Sequence, residues 1–250
     1  MFIDLHCHLD FYSDGKIKEI VKRMKDSKVI GINSGIDNLT NIRTLELSQK
    51  YQNVLAALGG YSTDVEKLSE EELNEEIKFI KENSKKIVAI SEVGLDLHHG
   101  KDLKKQEMGF RKFIELAIEL NKPIIIHTRK AEERVLEILE EYDFGKFVLH
   151  CFMADKKLVK RARDDGFYFT VPSIIKYNEQ FQSLVSEVPI EQLFCETDSP
   201  FLHPDKEQNN EPSNVIESYK KISEIKNISL KKVEKQVEEN YKKIFQLYTL

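Results

Sequence analysis

Eight short runs of β-branched and apolar residues, each separated from the next by a longer stretch of helical period, set the architecture open to this chain. The runs are FIDLHCH, KVIGINSG, VLAALGGY, KIVAISEVG, KPIIIHT, KFVLHCF, FYFTVPS and QLFCETD, spread from Phe2 to Asp198. Their first halves are apolar on both faces, as parallel strands covered on both sides must be, and polar residues appear only toward their C-terminal ends. The stretches between them are amphipathic. Phe110, Phe113, Ile114, Ala117 and Leu120, for example, fall on one helical face that would cover a sheet. Strand and helix alternating eight times is the pattern of an α/β chain folded as a (β/α)8 TIM barrel. From Leu230 onward, Val233, Val237, Tyr241 and Ile244 keep helical register, which predicts an additional C-terminal helix packed on the outside.

With 250 residues, 40% of them hydrophobic, the chain is expected to form one domain over 1–250. A formal net charge of −5 argues against a broad basic surface that would hold long duplex nucleic acid. Three cysteines, with no charged leader followed by an apolar core, point to a reducing compartment, the cytoplasm. No apolar run approaches the ~20 residues that span a bilayer, so no membrane association is expected. The stretch HPDKEQNNEPSN, 203–214, reads as a polar loop, and EKLSEEELNEEIKFIKENSKK as a helix with a solvated face.

The polar ends of the runs carry the chemistry. Residues i and i+2 of a strand share a face, so His6 and His8 point the same way and Cys7 points to the other. In a barrel the C-terminal strand ends converge, which brings His6 and His8 together with Glu92, His127, His150 and Asp198 at one mouth. A lone strand histidine is commonly a hydrogen-bonded structural residue. Four of them with two carboxylates are not core filling, because buried ionisable groups cost several kcal/mol unless paired or metal-bound. The mixed nitrogen and oxygen set suits divalent cations, and six ligands are enough for two ions sharing a carboxylate. Cys7, Cys151 and Cys195 read as small packing residues.

DLHCHLD, SEVGLD, PIIIHTR, VLHCF, ETDSP, NEP and the spacing of Asn240 to Phe245, in this order, resemble the TatD family of metal-dependent deoxyribonucleases, within the amidohydrolase-like barrels. The resemblance runs from Asp4 to Phe245. It implies that His6, His8 and Asp198 hold one metal, that His127 and His150 hold a second, and that Glu92 bridges them, with magnesium or manganese expected and zinc the alternative. Glu196 is a supporting residue or an extra ligand. Two positions depart from the family pattern. Ser91 stands where a glycine usually precedes the bridging glutamate, and Leu97, His98 and His99 stand where aromatics usually follow GLD, at the edge of the substrate cleft.

Two cations roughly 3.5–4 Å apart activate water for in-line attack on phosphorus without a nucleophilic side chain. Asp198 is the candidate general base and Glu92 the second catalytic carboxylate. Arg129 is either a phosphate clamp or a solvated loop arginine. His203, on the rim, is a further candidate substrate contact, and His98 and His99 are expected to be exposed. The implied activity is trimming of DNA from a 3′ end, on single-stranded or frayed substrate. The alternatives are an amide or ester hydrolase, such as a deacylase of aminoacyl-tRNA, and a non-catalytic metal or nucleic-acid binding module. Amide hydrolases on this barrel often bridge their metals with a modified lysine on the fourth strand, where this chain offers Glu92.

Overall fold

The computed structural model describes residues 1–206 and 209–245. Residues 207 and 208 of the expected 203–214 loop, and the last five of the chain, lie outside them. Eight parallel strands follow one another around a single sheet in sequence order. They are β1 (Phe2–Cys7), β2 (Val29–Ser34), β3 (Val54–Leu58), β4 (Ala89–Asp96), β5 (Ile124–Arg129), β6 (Phe147–Leu149), β7 (Tyr168–Pro172) and β8 (Leu193–Glu196). This is the (β/α)8 TIM barrel expected from the alternation. The seam closes just beyond β8, where the Asp198 N–H donates to the His6 carbonyl at 3.0 Å and the His8 N–H donates to the Ser199 carbonyl at 2.7 Å. Asp4, fully buried in β1, reinforces that seam by accepting from the Thr197 N–H at 2.8 Å and its hydroxyl at 2.6 Å.

The helices are α1 (Asp14–Asp26), α2 (Asn38–Lys50), α3 (Ser62–Val65), α4 (Glu70–Glu82), α5 (Leu103–Leu120), α6 (Glu132–Leu139), α7 (Lys156–Asp164), α8 (Glu179–Glu187), α9 (Val215–Lys226) and α10 (Leu230–Phe245). One helix per crossover was the simple expectation, but β3 is followed by two. Gly60 and Tyr61 lead into the single turn α3, and Ser69 then starts α4 afresh with a capping box, its hydroxyl accepting from the Glu72 N–H while Glu72 accepts from the Ser69 N–H.

The periodicity is seated as read. Phe110, Phe113, Ile114 and Ala117 of α5 are buried against the sheet, with Leu120 half-buried at the helix end. In α10, Val233, Val237, Tyr241 and Ile244 are buried, and Asn240 Nδ2 donates to the carbonyls of Ile190 at 2.8 Å and Leu193 at 2.9 Å. The late Asn240 to Phe245 spacing is therefore a fastening of the outer helix to the entry of β8. Among the described residues no helix is long and apolar enough to cross a membrane.

Candidate metal centre

Strands β1, β4, β5, β6 and β8, and the turns just past β1, β6 and β8, bring the six candidate ligands together. His6 and His8 share a face, and their Nε2 atoms lie 3.1 Å apart. Ser34, the last residue of β2, orients both rings: its Oγ is 2.9 Å from His6 Nδ1, and its carbonyl is 2.9 Å from His8 Nδ1. A carbonyl can only accept, so His8 carries a proton on Nδ1 and turns Nε2 to the mouth. Ser91, the departure noted in the sequence, donates its hydroxyl to Ser34 Oγ at 2.7 Å and so joins this support.

Glu92 does not sit at a strand end as expected. Strand β4 continues past it to Asp96, and Glu92 is turned inward by a break in register against β5 between Ile90 and Val93, with its backbone at φ 56°. Such bulges re-aim side chains at functional sites, and the left-handed backbone stores strain on the order of 1–3 kcal/mol. Gly94 makes the bulge fit, because a Cβ there would stand 1.9 Å from the His127 carbonyl. The carboxylate that results faces both sides of the cluster. Its Oε2 lies 2.6 Å from His6 Nε2 and 3.6 Å from His8 Nε2, and its Oε1 lies 3.2 Å from His127 Nδ1.

Asp198, two residues past β8 and also left-handed at φ 52°, sets Oδ1 3.7 Å from His6 Nε2 and 3.6 Å from His8 Nε2. The His150 ring lies 3.9 Å from that of His6, centroid to centroid. Two triads, His6 with His8 and Asp198, and His6 with Glu92 and His150, each offer three ligand atoms within 4.8 Å of one another. His127 adjoins them through Glu92. The donor set fits a divalent cation. Imidazole nitrogens and carboxylate oxygens converge on one small volume, and buried Glu92 Oε2 has no hydrogen-bond partner of acceptable geometry among the described residues.

The electrostatics are those of a site that wants positive charge. Burial raises the Glu92 carboxyl, but the charge of His6, the hydrogen bond from His127 and the close approach of the His6 imidazole hold it well below the usual carboxylate range. Burial lowers His8, yet the hydrogen bond to Asp198 and the charges of Glu92, Asp198 and Asp10 push it up to about 9. His150 is likewise pulled down by burial and pushed up to about 10 by Glu196, Glu92 and Asp198. His6 moves the other way, lowered by burial and by His150 beside it. Without metal, protons on His8 and His150 neutralise the carboxylates.

The rings are held by Glu196, expected from the sequence as a supporting residue or an extra ligand, and by Asp96 and Tyr61, which sequence reading passed over. Glu196, buried under His150, accepts from its Nδ1 at 2.7 Å through Oε2 and from the Cys151 N–H at 3.1 Å through Oε1. Both its oxygens are turned away from the cleft, so it supports a ring and does not line the mouth. Asp96 and Tyr61 do the same for His127. Tyr61 Oη donates to Asp96 Oδ2 at 2.7 Å and lies 3.3 Å from His127 Nε2, itself 3.6 Å from Asp96 Oδ2. The only sequence signals were the final Asp of SEVGLD and a tyrosine after the third strand.

The cleft over these ligands has a volume of about 400 Å³ and is lined, besides the ligands, by Arg129, Tyr61, Phe11, Phe201, Leu202 and Ile36. Arg129 is exposed there. His203 does not line it, and its Nδ1 accepts from the Asp205 N–H at 3.1 Å within a turn. His98 and His99 are exposed, and His99 Nδ1 lies 2.9 Å from Asp96 Oδ2.

The family model of the TatD related DNases matches residues 3–246. Uncharacterized metal-dependent hydrolase MJ1582 of Methanocaldococcus jannaschii is 34% identical, the match covering 98% of this chain and 96% of that protein. Deoxyribonuclease TATDN3 of Homo sapiens is 29% identical, over 97% of this chain and 94% of that protein. The crystal structure of YJJV, a TatD homologue from Escherichia coli, superposes with a TM-score of 0.90 at 25% identity, covering 98% of both chains.

Proposed function

This chain belongs to the TatD family of metal-dependent hydrolases, and on that footing we propose that it is a phosphodiesterase that shortens DNA from a free 3′ end, using two divalent ions, magnesium or manganese. The observation that carries the reading is the two-sided Glu92 carboxylate, one oxygen against the His6 and His8 pair and the other against His127. That is the disposition of a ligand shared by two ions. In this reading His6, His8 and Asp198 hold one ion and His127 and His150 the other. Bound there, the ions supply Lewis acidity for the attacking water and the departing oxygen.

The chain's own groups do the rest. No serine, cysteine, threonine or lysine lines the described cleft, so the attacking group is water. Asp198, lowered from the ordinary carboxylate range because its hydrogen bond to His8 and the charges of His150, His6 and His8 outweigh its burial, is ionised and takes the proton. Arg129 binds a phosphate oxygen from the wall and fixes the line of attack. The acidic average of the chain is tolerable because an end-reader contacts few phosphates.

The test is an activity screen of metal-loaded protein against single-stranded DNA with a free 3′ hydroxyl, closed circular DNA, RNA and aminoacyl-tRNA. Stepwise shortening of the linear strand, persistence of the circle, and loss of cleavage in Asp198→Asn with an unchanged fold are expected. Rapid cutting of the circle overturns end recognition. Deacylation of aminoacyl-tRNA, with every nucleic acid left intact, replaces this reading by the ester hydrolase.

A further inference from the structure

Two phenylalanines at the mouth are left in water although the barrel has ample core to take them. Phe11 is 45% exposed and Phe201 is 52% exposed, and both line the cleft above the candidate ligands. Each stands three residues after one of those ligands, Phe11 after His8 and Phe201 after Asp198. Their turns are pinned. The Leu9 N–H donates to Asn33 Oδ1, the Phe201 N–H donates to the Asp198 carbonyl at 2.9 Å, and Asn210 Nδ2 donates to the carbonyls of Thr197 at 2.9 Å and Leu202 at 3.1 Å. The rings are therefore exposed on fixed backbone, which a loop free to collapse would not maintain.

Their arrangement is specific. Phe11 lies nearly parallel to the His8 imidazole, at 16° and 5.0 Å between centroids, and Phe201 stands at 81° to Phe11 at 6.1 Å. The two rings meet nearly at right angles and line the same cleft as Arg129 and the ligand cluster. Flat apolar surface, a cation and a carboxylate and imidazole floor in one cleft match a nucleotide: a base on the rings, its phosphate toward Arg129 and the floor. A base inside a duplex has both faces covered by its neighbours. A paired terminal base is still held by its partner and by stacking on one face, whereas an unpaired one is free to turn onto the rings.

Resting on the phosphodiesterase reading, we infer that Phe11 and Phe201 form a stacking platform for an unpaired base at the 3′ end of the DNA, and that this platform makes the enzyme select frayed or single-stranded ends. Base stacking on an aromatic side chain is worth about 1–3 kcal/mol, which corresponds to roughly 5- to 150-fold in affinity.

The chain has no tryptophan, so Phe201→Trp introduces a single indole reporter. Metal-loaded Phe201→Trp is titrated with deoxyadenosine 5′-monophosphate and with deoxyribose 5-phosphate, neither of which holds a phosphodiester to cleave. In parallel, cleavage of single-stranded DNA ending in a normal or an abasic nucleotide is compared in the wild type, Phe11→Ala, Phe201→Ala, Phe201→Leu and Phe201→Trp. Quenching by the nucleotide with at least about 5-fold weaker binding of the base-free sugar phosphate is expected, together with slower cleavage of abasic ends by the wild type and Phe201→Trp. Phe11→Ala, Phe201→Ala and Phe201→Leu should bring the two cleavage rates together. Equal cleavage of both ends by the wild type, with equal binding of both ligands, overturns the platform while leaving the phosphodiesterase intact. Selective binding of the nucleotide by a protein that cleaves no DNA keeps the platform and removes the phosphodiesterase reading. A protein that neither prefers the nucleotide nor cleaves any DNA removes both.

Discussion

His6 Nε2 and His8 Nε2 face one another at 3.1 Å, with Glu92 Oε2 beside both. Two bare lone pairs repel at that separation, so the pair is stable only with a proton or a cation between or beside them. Proton and metal compete for the same nitrogen.

Metal uptake near neutral pH should therefore expel protons. His8 at about 9 and His150 at about 10 are protonated in the metal-free protein, and both must lose that proton to ligate. Calorimetric titration in buffers of different ionisation heat should show proton release at pH 7, and half-loading should need less metal as pH rises toward 9. The stability sign agrees. A histidine raised in the folded state contributes stability that is complete below its unfolded value of 6.5 and fades as pH rises through the folded value. Metal-free protein should lose melting temperature between about pH 7 and 10, and added metal should flatten that slope. Affinity independent of pH would disprove the shared-nitrogen account.

Glu196 should tune the metal without touching it. Its 2.7 Å contact with His150 Nδ1 fixes the ring's tautomer and direction, leaving Nε2 for the cleft. Glu196→Ala should weaken metal affinity by about 10- to 100-fold, measured against a competing chelator. Glu196→Gln, which keeps an acceptor but not the charge, should fall between and should lower the His150 pKa, readable by NMR. Unchanged affinity in both variants would reduce Glu196 to a space-filling role.

The barrel was legible because burial writes itself into period: strands apolar on both faces and helices apolar on one are separable by pattern alone, and HxH geometry follows from strand alternation. The inward turn of Glu92 was not, since a bulge changes φ at a residue without changing composition around it. Nor were Ser34, Asp96 and Tyr61, whose value lies in contacts between strands distant in sequence. Asp4 was quoted in the first motif, yet its partner Thr197 lies 193 positions away, across the barrel seam. Asn210 and Asn240 turned out to be fasteners of backbone carbonyls, which no local pattern distinguishes from a ligand-binding amide.

One carboxyl outside the site is held against its preference. Burial, then the charges of Asp37, Asp64 and Glu72, push Glu76 on α4 up to about 7. An acid raised in the folded state makes stability fall as pH climbs from its ordinary value near 4.5 to about 7, because the unfolded chain releases the proton first. Glu76→Gln should stabilise the protein above pH 7 by about 1 kcal/mol, discounted for its partial exposure, and leave it unchanged below pH 4. Denaturant melts at the two pH values check this, and an equal shift at both would show that the amide acts through packing.

Asp96 should govern how His127 is presented. Its Oδ2 takes the Tyr61 hydroxyl at 2.7 Å and His99 Nδ1 at 2.9 Å, and lies 3.6 Å from His127 Nε2, whose opposite nitrogen meets Glu92. Burial raises this carboxyl, but hydrogen bonds from His127, His99 and Tyr61 outweigh that and keep it ionised. Asp96→Asn removes the charge while keeping the shape, so His127 loses the anion that favours a proton on Nε2 and a free Nδ1. Metal affinity should drop by about 10- to 100-fold, and under the proposed two-ion reading the loss should fall chiefly on the ion that His127 and His150 would hold. Tyr61→Phe should cost less, because Asp96 keeps its other partners. Chelator competition and elemental analysis measure both. If Asp96→Asn loads metal as the wild type does, with its melting temperature lowered, then Asp96 is a fastener of the β4 end and His127 is positioned by Glu92 alone.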